Sequence, residues 1–136
     1  MANKYSLGID VGSTTVKTVI TDSENNIIYS KYQRQFSKVK ETVTDQLMMI
    51  RGNYPDEEFS VCITGSAGLG LANSAGIPFV QEVHAAFLAV KEKQPDADAV
   101  IELGGEDAKI IFLTGGVEQR MNGTCAGGKI GRASCR

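Results

Sequence analysis

The stretch of sequence that decides the fold is YSLGIDVGSTTVKTVIT, residues 5–21. Apolar residues alternate with small or polar ones over residues 5–11, a period of two that predicts a β-strand. Gly12-Ser13-Thr14 predicts a tight turn, and the β-branched run at residues 15–21 predicts a returning strand. This segment is therefore predicted to be a β-hairpin that carries a carboxylate, Asp10, next to the end of its first strand.

Beyond the hairpin, the chain is predicted to alternate strands and helices. Residues 27–35 complete an antiparallel meander, and apolar residues then recur at helical spacing from Val39 to Tyr54, with Ser37 as the expected N-cap. The remaining predicted elements are a strand at 59–64, helices at 67–75 and from residue 82, a short strand at 79–80, and strands at 98–103, 108–113 and 117–121. Three antiparallel strands followed by helices and strands in alternation are typical of a ribonuclease-H-like layer, so the predicted fold class is α/β.

The composition is that of a globular protein and excludes several classes of function. Of 136 residues, 42% are hydrophobic and 22% are charged, which is enough apolar material for a core. Fourteen basic and 16 acidic residues give a net charge of −2, so no nucleic acid is expected as a partner. The sequence has no apolar run of membrane-spanning length and no signal-peptide pattern at its start, so a cytoplasmic protein without a membrane partner is expected.

The first hairpin has a weak internal repeat. Ile9-Asp10-Val11-Gly12 aligns with Ile101-Glu102-Leu103-Gly104, and Lys17 aligns with Lys109. Each segment has an acid near the end of a strand, a glycine turn and a lysine on the return strand. The repeat predicts two similar hairpins that face each other across a cleft.

Such hairpins have the chemistry of phosphate binding. Backbone N–H groups at Gly12-Ser13-Thr14 can surround phosphate oxygens, and Asp10 can hold Mg²⁺ through water. Glu102 and the Gly104-Gly105 turn would repeat this from the other side, so that two loops hold one phosphate chain. A single hairpin of this kind is also compatible with an ordinary turn, and Lys17 with a solvated sheet face.

Two other nucleotide-binding classes are excluded by motif. The chain has no G-x-x-x-x-G-K-[ST] sequence, which rules out a P-loop. It has no G-x-G-x-x-G between a strand and a helix, and the glycines at 65, 68 and 70 have the wrong spacing for a dinucleotide fingerprint.

Several segments resemble a known family. Residues 9–15 resemble the first phosphate motif of the actin, hexokinase and Hsp70 ATPase superfamily, and residues 102–109 resemble its second. The segments at 63–68, 82–85 and 121–128 are similar to those of the activators of 2-hydroxyacyl-CoA dehydratases and the ATPase subunits of benzoyl-CoA reductases, the BadF/BadG/BcrA/BcrD type. The Asn-x-x-Cys-Ala-x-Gly pattern within 121–128 is the most specific part of this resemblance.

The resemblance implies an ATPase that couples ATP hydrolysis to electron transfer. Members bind ATP or ADP with Mg²⁺ between two lobes and form a homodimer around one [4Fe–4S] cluster. Hydrolysis drives a conformational change that passes one low-potential electron to a 2-hydroxyacyl-CoA dehydratase or a CoA-ester reductase. Reduced ferredoxin or flavodoxin is the implied electron donor.

The roles that the resemblance implies can be carried over residue by residue. The carboxylates of Asp10 and Glu102 match the acids of the two phosphate motifs, which implies that they are catalytic. Glu82 is a further catalytic candidate from its own position, because it opens a predicted helix, where it either complements the helix dipole or faces the cleft and orients the attacking water. The implied nucleotide-contacting residues are Gly12, Ser13 and Thr14 of the first loop and Gly104, Gly105 and Asp107 of the second. Lys17 is a further candidate for phosphate contact from its position on the return strand. Cys125 corresponds to the first cluster ligand.

The chain also departs from the family pattern. The acid of the second motif is more often Asp than Glu, and the family continues after Gly128 with Thr-Gly-x-Phe, whereas this chain has an atypical tail at 129–136. The predicted organisation is a first lobe at 1–97, the start of a second lobe at 98–128, and this tail, an artefact or a truncation. Because half of the clamp would then be missing, the 136-residue chain is predicted to be a weak or inactive ATPase.

Two other functions remain open from the sequence. One is a sugar or N-acetylhexosamine kinase of the same superfamily, which would have no use for Cys125. The other is a non-catalytic, actin-like nucleotide-binding module.

Overall fold

The computed structural model describes residues 4–103, 108–115 and 118–121 of the chain. The chain divides into two compact units, Met1–Glu82 and Val83–Arg136, and each unit has its own β-sheet. The lobe boundary expected after residue 97 stays a prediction.

The first unit is built on a four-stranded sheet with the strand order β3-β2-β1-β4. Its strands are β1 (Lys4–Val11), β2 (Thr15–Thr21), β3 (Ile27–Arg34) and β4 (Glu58–Thr64). The first three strands form the predicted antiparallel meander, and β4 runs parallel to β1. A parallel neighbour requires a long crossover connection, and here that connection contains helix α1 (Val39–Asn53).

One face of this sheet carries the hydrophobic core. Leu7, Ile9 and Val11 alternate along β1 and are at most 3% exposed, and they belong to the same buried cluster as Val43 and Ile50 of α1. The intervening residues of β1 lie on the other face, because successive side chains of a strand point to opposite sides. The alternation read from the sequence is therefore the alternation that separates the core from the candidate site.

Aromatic side chains pack together at the amino ends of β1 and β4. The rings of Tyr5 and Phe59, which are partners across β1 and β4, have centroids 5.9 Å apart. Tyr54, just after α1, packs edge-on against both rings. This cluster fixes the amino ends of the two parallel strands, and their carboxyl ends lie at the opposite edge.

The second unit contains a three-stranded antiparallel sheet in the order β5-β6-β7. Its strands are β5 (Ala99–Leu103), β6 (Ala108–Phe112) and β7 (Glu118–Met121), and helix α3 (Glu82–Lys93) spans the division between the units. Among the described residues of this unit, Ile111 and Leu113 are the buried apolar ones, at 1% and 6% exposure.

Most element bounds agree with the sequence predictions, and three predictions differ from the structure. Ser37 is not the N-cap of α1: its φ of 63° places it in a left-handed turn, and the cap position is Lys38, without a side-chain cap hydrogen bond. Helix α2 (Leu69–Ala75) begins two residues later than predicted. The predicted strand at 79–80 is reduced to one parallel bridge between Phe79 and Ile63. None of the helices in the described residues combines the length and apolar character needed to cross a membrane.

Candidate functional site

Asp10 lies near the carboxyl end of β1, an inner strand with β2 on one side and β4 on the other. Its Cα partner on β2 is Lys17, and its Cα partner on β4 is Thr64. All three side chains share one face, because directly paired residues in a sheet point the same way. The fold therefore gathers a carboxylate, an ammonium and a hydroxyl at the position where the sequence predicts phosphate chemistry.

The two oxygens of the Asp10 carboxylate have different surroundings. Oδ2 lies 3.3 Å from Lys17 Nζ, in an ion pair whose side chains are 33% and 45% exposed for Asp10 and Lys17. Oδ1 is buried, and no donor among the described residues lies within hydrogen-bonding distance of it. The Thr64 hydroxyl oxygen, on the neighbouring strand, is buried and unpartnered in the same way. Buried polar atoms are normally hydrogen-bonded, so these two adjacent atoms are available to a polar ligand.

Gly65 closes the site from the side of β4. It has a left-handed φ of 101°, and a Cβ atom built on it would lie 2.6 Å from Asp10 Oδ1 and would overlap the carbonyl oxygen of Val11. The same turn is tied to the hairpin by Ala67, whose N–H donates to Val11 O at 2.9 Å. Only glycine permits this approach, so the turn after β4 is packed directly against the acid.

The loop at residues 12–14 presents its backbone to solvent in a defined orientation. Gly12 N–H donates to Thr15 O at 2.9 Å and closes the hairpin. Ser13 and Thr14 are exposed, and in the described part of the chain their N–H groups have no acceptor within hydrogen-bonding distance. Adjacent free N–H groups in a turn form a concave site for anions.

The donor set fits a magnesium-bound phosphate. Mg²⁺ prefers oxygen ligands and keeps several waters, so a single carboxylate that contacts it through water is sufficient on the protein side. Asp10 supplies that carboxylate, and the free N–H groups of Ser13 and Thr14 supply donors for phosphate oxygens. Lys17, whose Nζ also lies 5.9 Å from the centroid of the Tyr32 ring, adds a positive charge beside them.

The second hairpin repeats the pairing of the first. Glu102 on β5 is the Cα partner of Lys109 on β6, just as Asp10 is the partner of Lys17. Here the acid is exposed and the lysine is 9% exposed. The sequence alignment of the two segments therefore corresponds to a repeated strand register. The predicted contacts of Gly104, Gly105 and Asp107 lie outside the described residues.

The other predicted site residues are placed as follows. Glu82 is the first residue of α3, as expected. Cys125, the predicted cluster ligand, lies outside the described residues. Within them, Cys62 is a free, half-buried cysteine on β4, and no group of three or more metal-ligating side chains is found. The described residues therefore do not test the iron–sulfur prediction.

The sequence analysis missed three residues of this site. Thr64 and Gly65 were noted as a strand end, in a glycine spacing and within the family-like segment at 63–68, but they were given no role at the site. A threonine and a glycine that end a strand parallel to β1 must nevertheless lie beside Asp10. Gln35 was placed in a strand, whereas its side chain contacts the 12–14 loop. The register of β2 with β3 would have indicated this, because Arg34 pairs with Thr15 and the next residue reaches the loop.

Comparisons with known proteins agree with this geometry. Residues 7–134 match the model of the BadF/BadG/BcrA/BcrD ATPase family. The (R)-2-hydroxyglutaryl-CoA dehydratase activating ATPase of Acidaminococcus fermentans is 27% identical over 128 residues, which cover 91% of this chain. The crystal structure of component A of that organism's dehydratase has a TM-score of 0.74 at 23% identity and 90% coverage of this chain.

A second solved structure carries a nucleotide. The activator of the 2-hydroxyisocaproyl-CoA dehydratase from Clostridium difficile, with bound ADPNP, has a TM-score of 0.71 at 25% identity and covers 90% of this chain. These likenesses confirm the predicted α/β fold of the actin-like ATPases. The chain spans about half the length of these relatives, between 47% and 49%.

Proposed function

Because the chain belongs to the BadF/BadG/BcrA/BcrD ATPase family, we propose that it is part of an ATP-hydrolysing activator of a 2-hydroxyacyl-CoA dehydratase or a related CoA-ester reductase. The reaction is ATP + H₂O → ADP + phosphate, coupled to the transfer of one electron from a [4Fe–4S] cluster to the partner enzyme. The electron enters from reduced ferredoxin or flavodoxin, and the active form is a cytoplasmic homodimer.

The observation that carries this proposal is the environment of Asp10. A half-buried carboxylate with one unpartnered oxygen stands beside two free, exposed N–H groups of the same hairpin. This arrangement supports a role in holding Mg²⁺ through water while Ser13 and Thr14 donate to phosphate oxygens. Fixed donors and a metal ion that neutralise phosphate charge account for most of the catalysis in phosphoryl transfer.

The other assigned roles rest on the sequence and on its resemblance to the family. We assign Glu82 the role of orienting the attacking water. Its place in the first turn of α3 is compatible with this role. Glu102, Gly104, Gly105 and Asp107 belong to the second phosphate motif, and the register of Glu102 with Lys109 supports the likeness of the two hairpins. Cys125 supplies one thiolate per chain, and the cluster would supply the low-potential electron.

Hydrolysis is measured first, in the natural gene product that contains this chain. We expect Asp10→Asn to lower the single-turnover rate about 100-fold, because the acid no longer holds the metal through water. Glu58→Gln is the matched control: Glu58 is an exposed acid at the opposite end of the same sheet, and its loss leaves the rate unchanged. Equal rates for the Asp10 variant and the wild type would remove Asp10 from the mechanism.

Iron content separates this proposal from a kinase of the same superfamily. Anaerobically purified gene product is expected to contain iron and acid-labile sulfide, which Cys125→Ala removes while nucleotide binding remains. A protein that hydrolyses ATP but contains no iron would contradict the activator function and favour the kinase. The 136-residue chain alone is expected to hydrolyse ATP weakly or not at all, since it spans about half of its relatives' length.

A further inference from the structure

Gln35 follows β3 directly and binds all three carbonyl groups of the 12–14 loop. Its side-chain Nε2 donates to Ser13 O at 2.6 Å and to Gly12 O at 3.4 Å. Its backbone N–H donates to Thr14 O at 3.0 Å. The residue is 4% exposed, so these contacts are made away from solvent.

Because the peptide bond is planar, these contacts fix the direction in which the peptide groups of the loop point. In a trans peptide the C=O of one residue and the N–H of the next point in opposite directions. Because the carbonyls of Gly12 and Ser13 face Gln35, the N–H groups of Ser13 and Thr14 face away from it, towards solvent. One buried carboxamide thus aims both free donors of the loop in the same general direction.

Hydrogen bonding determines which end of the Gln35 carboxamide, Nε2 or Oε1, faces the loop. An oxygen in the place of Nε2 would face the Ser13 carbonyl oxygen without a donor between them. The Gln35 Oε1 atom is buried and has no donor among the described residues. The side chain therefore leaves its oxygen without a hydrogen bond while its nitrogen holds the loop carbonyls.

The backbone directly after Gln35 forms a strained turn. Phe36 and Ser37 both have left-handed φ angles, 43° and 63°, which are uncommon for residues with a Cβ atom. Phe36 is 76% exposed, so burial of its ring does not offset the strain. Lys38 N–H donates back to Gln35 O at 2.6 Å and closes this turn. Strained backbone of this kind is common at functional sites.

We infer that Gln35 is a positioning residue that orients the peptide groups of residues 12–14 so that Ser13 and Thr14 donate to the phosphate chain. This inference rests on the proposed function, in which that loop binds phosphate. Gln35 does not contact the nucleotide; it acts through the loop.

The chain offers a matched control for testing Gln35. Gln46 on α1 is also a buried glutamine, 0% exposed, whose Nε2 donates to a backbone carbonyl, that of Val16, and whose Oε1 is also unpartnered. Its acceptor lies in a strand rather than in the loop. Gln35→Met and Gln46→Met thus remove the same kind of hydrogen bond from two places.

The first test uses the natural gene product without nucleotide. In ¹⁵N–¹H spectra we expect Gln35→Met to shift and broaden the Ser13 and Thr14 amide resonances, because their peptide groups can then rotate. Gln46→Met leaves these two resonances in place. If the two resonances in Gln35→Met coincide with those of the wild type, the inference is wrong whatever the loop binds.

The second test measures affinity in the natural gene product, with MgATP and with magnesium tripolyphosphate as probes. Gln35→Met is expected to weaken the affinity for both probes about tenfold, because two donors lose their alignment. Gln46→Met is expected to change either affinity less than twofold. Equal losses for the two variants would show a general effect of destabilisation and would overturn the inference. A wild type that binds neither probe would overturn the proposed function, while the ligand-free spectra still decide the role of Gln35.

A wild-type measurement covers the case in which Gln35→Met fails to fold. On addition of MgATP we expect the Ser13 and Thr14 amide resonances to shift downfield, while the Gln35 carboxamide resonances stay in place and protected from exchange. Movement of the carboxamide resonances together with the loop would contradict a fixed positioning role.

Discussion

The hairpins β1–β2 and β5–β6 pair an acid with a lysine in the same register, but their surroundings differ. The first hairpin has a strand on each side, β3 and β4, and a helix on one face, so Asp10 is half-buried and Lys17 is exposed. In the second, β5 is the edge of its sheet within the described residues, Glu102 is exposed and Lys109 is nearly buried. A hairpin with an acid near the end of its first strand does not form a site by itself. In the first hairpin, β4 and the turn at Gly65 enclose the acid and complete the site.

The same contrast holds for the apolar residues of the two hairpins. Ile9 is 1% exposed in the core, whereas Ile101, at the equivalent place in the repeat, is 68% exposed. An apolar residue on an exposed edge strand is a surface available for further contacts. The two copies of one pattern therefore give one packed hairpin and one that is largely open.

The largest effect is expected from this isoleucine pair. Ile9→Ala should lower the free energy of unfolding by about 2–5 kcal/mol, because it leaves a cavity in a packed core. Ile101→Ala should lower it by less than about 1 kcal/mol, because the side chain is already in solvent. Chemical denaturation of the two variants measures both values. Equal losses would contradict the difference in packing between the hairpins.

A smaller effect is expected at the turn that encloses Asp10. Gly65→Ala should lower the free energy of unfolding by about 2–4 kcal/mol, since the new methyl group meets Asp10 Oδ1 and Val11 O at a left-handed φ. Gly70→Ala, in helix α2 with open space around it, should instead raise stability by up to about 1 kcal/mol. Thermal and urea denaturation of both variants measure the difference in sign. A stable Gly65→Ala variant would mean that the turn does not pack on the acid as described.

The smallest effect is expected at the ion pair. Lys17→Met should change the free energy of unfolding by less than about 1 kcal/mol, because both partners are partly solvated and the pair is screened. Lys40→Met, an exposed lysine of α1 without an ion pair among the described residues, is the control for loss of charge. A loss above about 2 kcal/mol at Lys17, measured by urea denaturation, would show that the pair is a structural part of the sheet.

The sequence predicts the framework well, because the framework follows from periodicity. The alternation of Leu7, Ile9 and Val11 gives β1 and its buried face, and the equivalence of Asp10 with Glu102 predicts the shared register. The helix start is wrong at Ser37 because a good capping residue is used in a left-handed turn instead. Local propensity at that position gives way to the turn in which Lys38 N–H donates to Gln35 O.

Much less of the candidate site can be predicted. Asp10 and the 12–14 loop are found from their own segment, because a strand, an acid and a glycine turn are contiguous. Thr64 and Gly65 reach Asp10 only through the parallel pairing of β1 with β4, a long-range contact that no local pattern contains. Gln35 depends on a two-strand register and a strained turn, so a single sequence offers no signal strong enough to select it.

The central claim is that Asp10 holds a magnesium-bound phosphate at the end of β1. Isothermal titration of the natural gene product with ATP, with and without Mg²⁺, tests it most directly. We expect Mg²⁺ to strengthen binding about 10–100-fold in the wild type and in Glu58→Gln, and to have little effect in Asp10→Asn. An equal magnesium effect in Asp10→Asn and the wild type would contradict the claim.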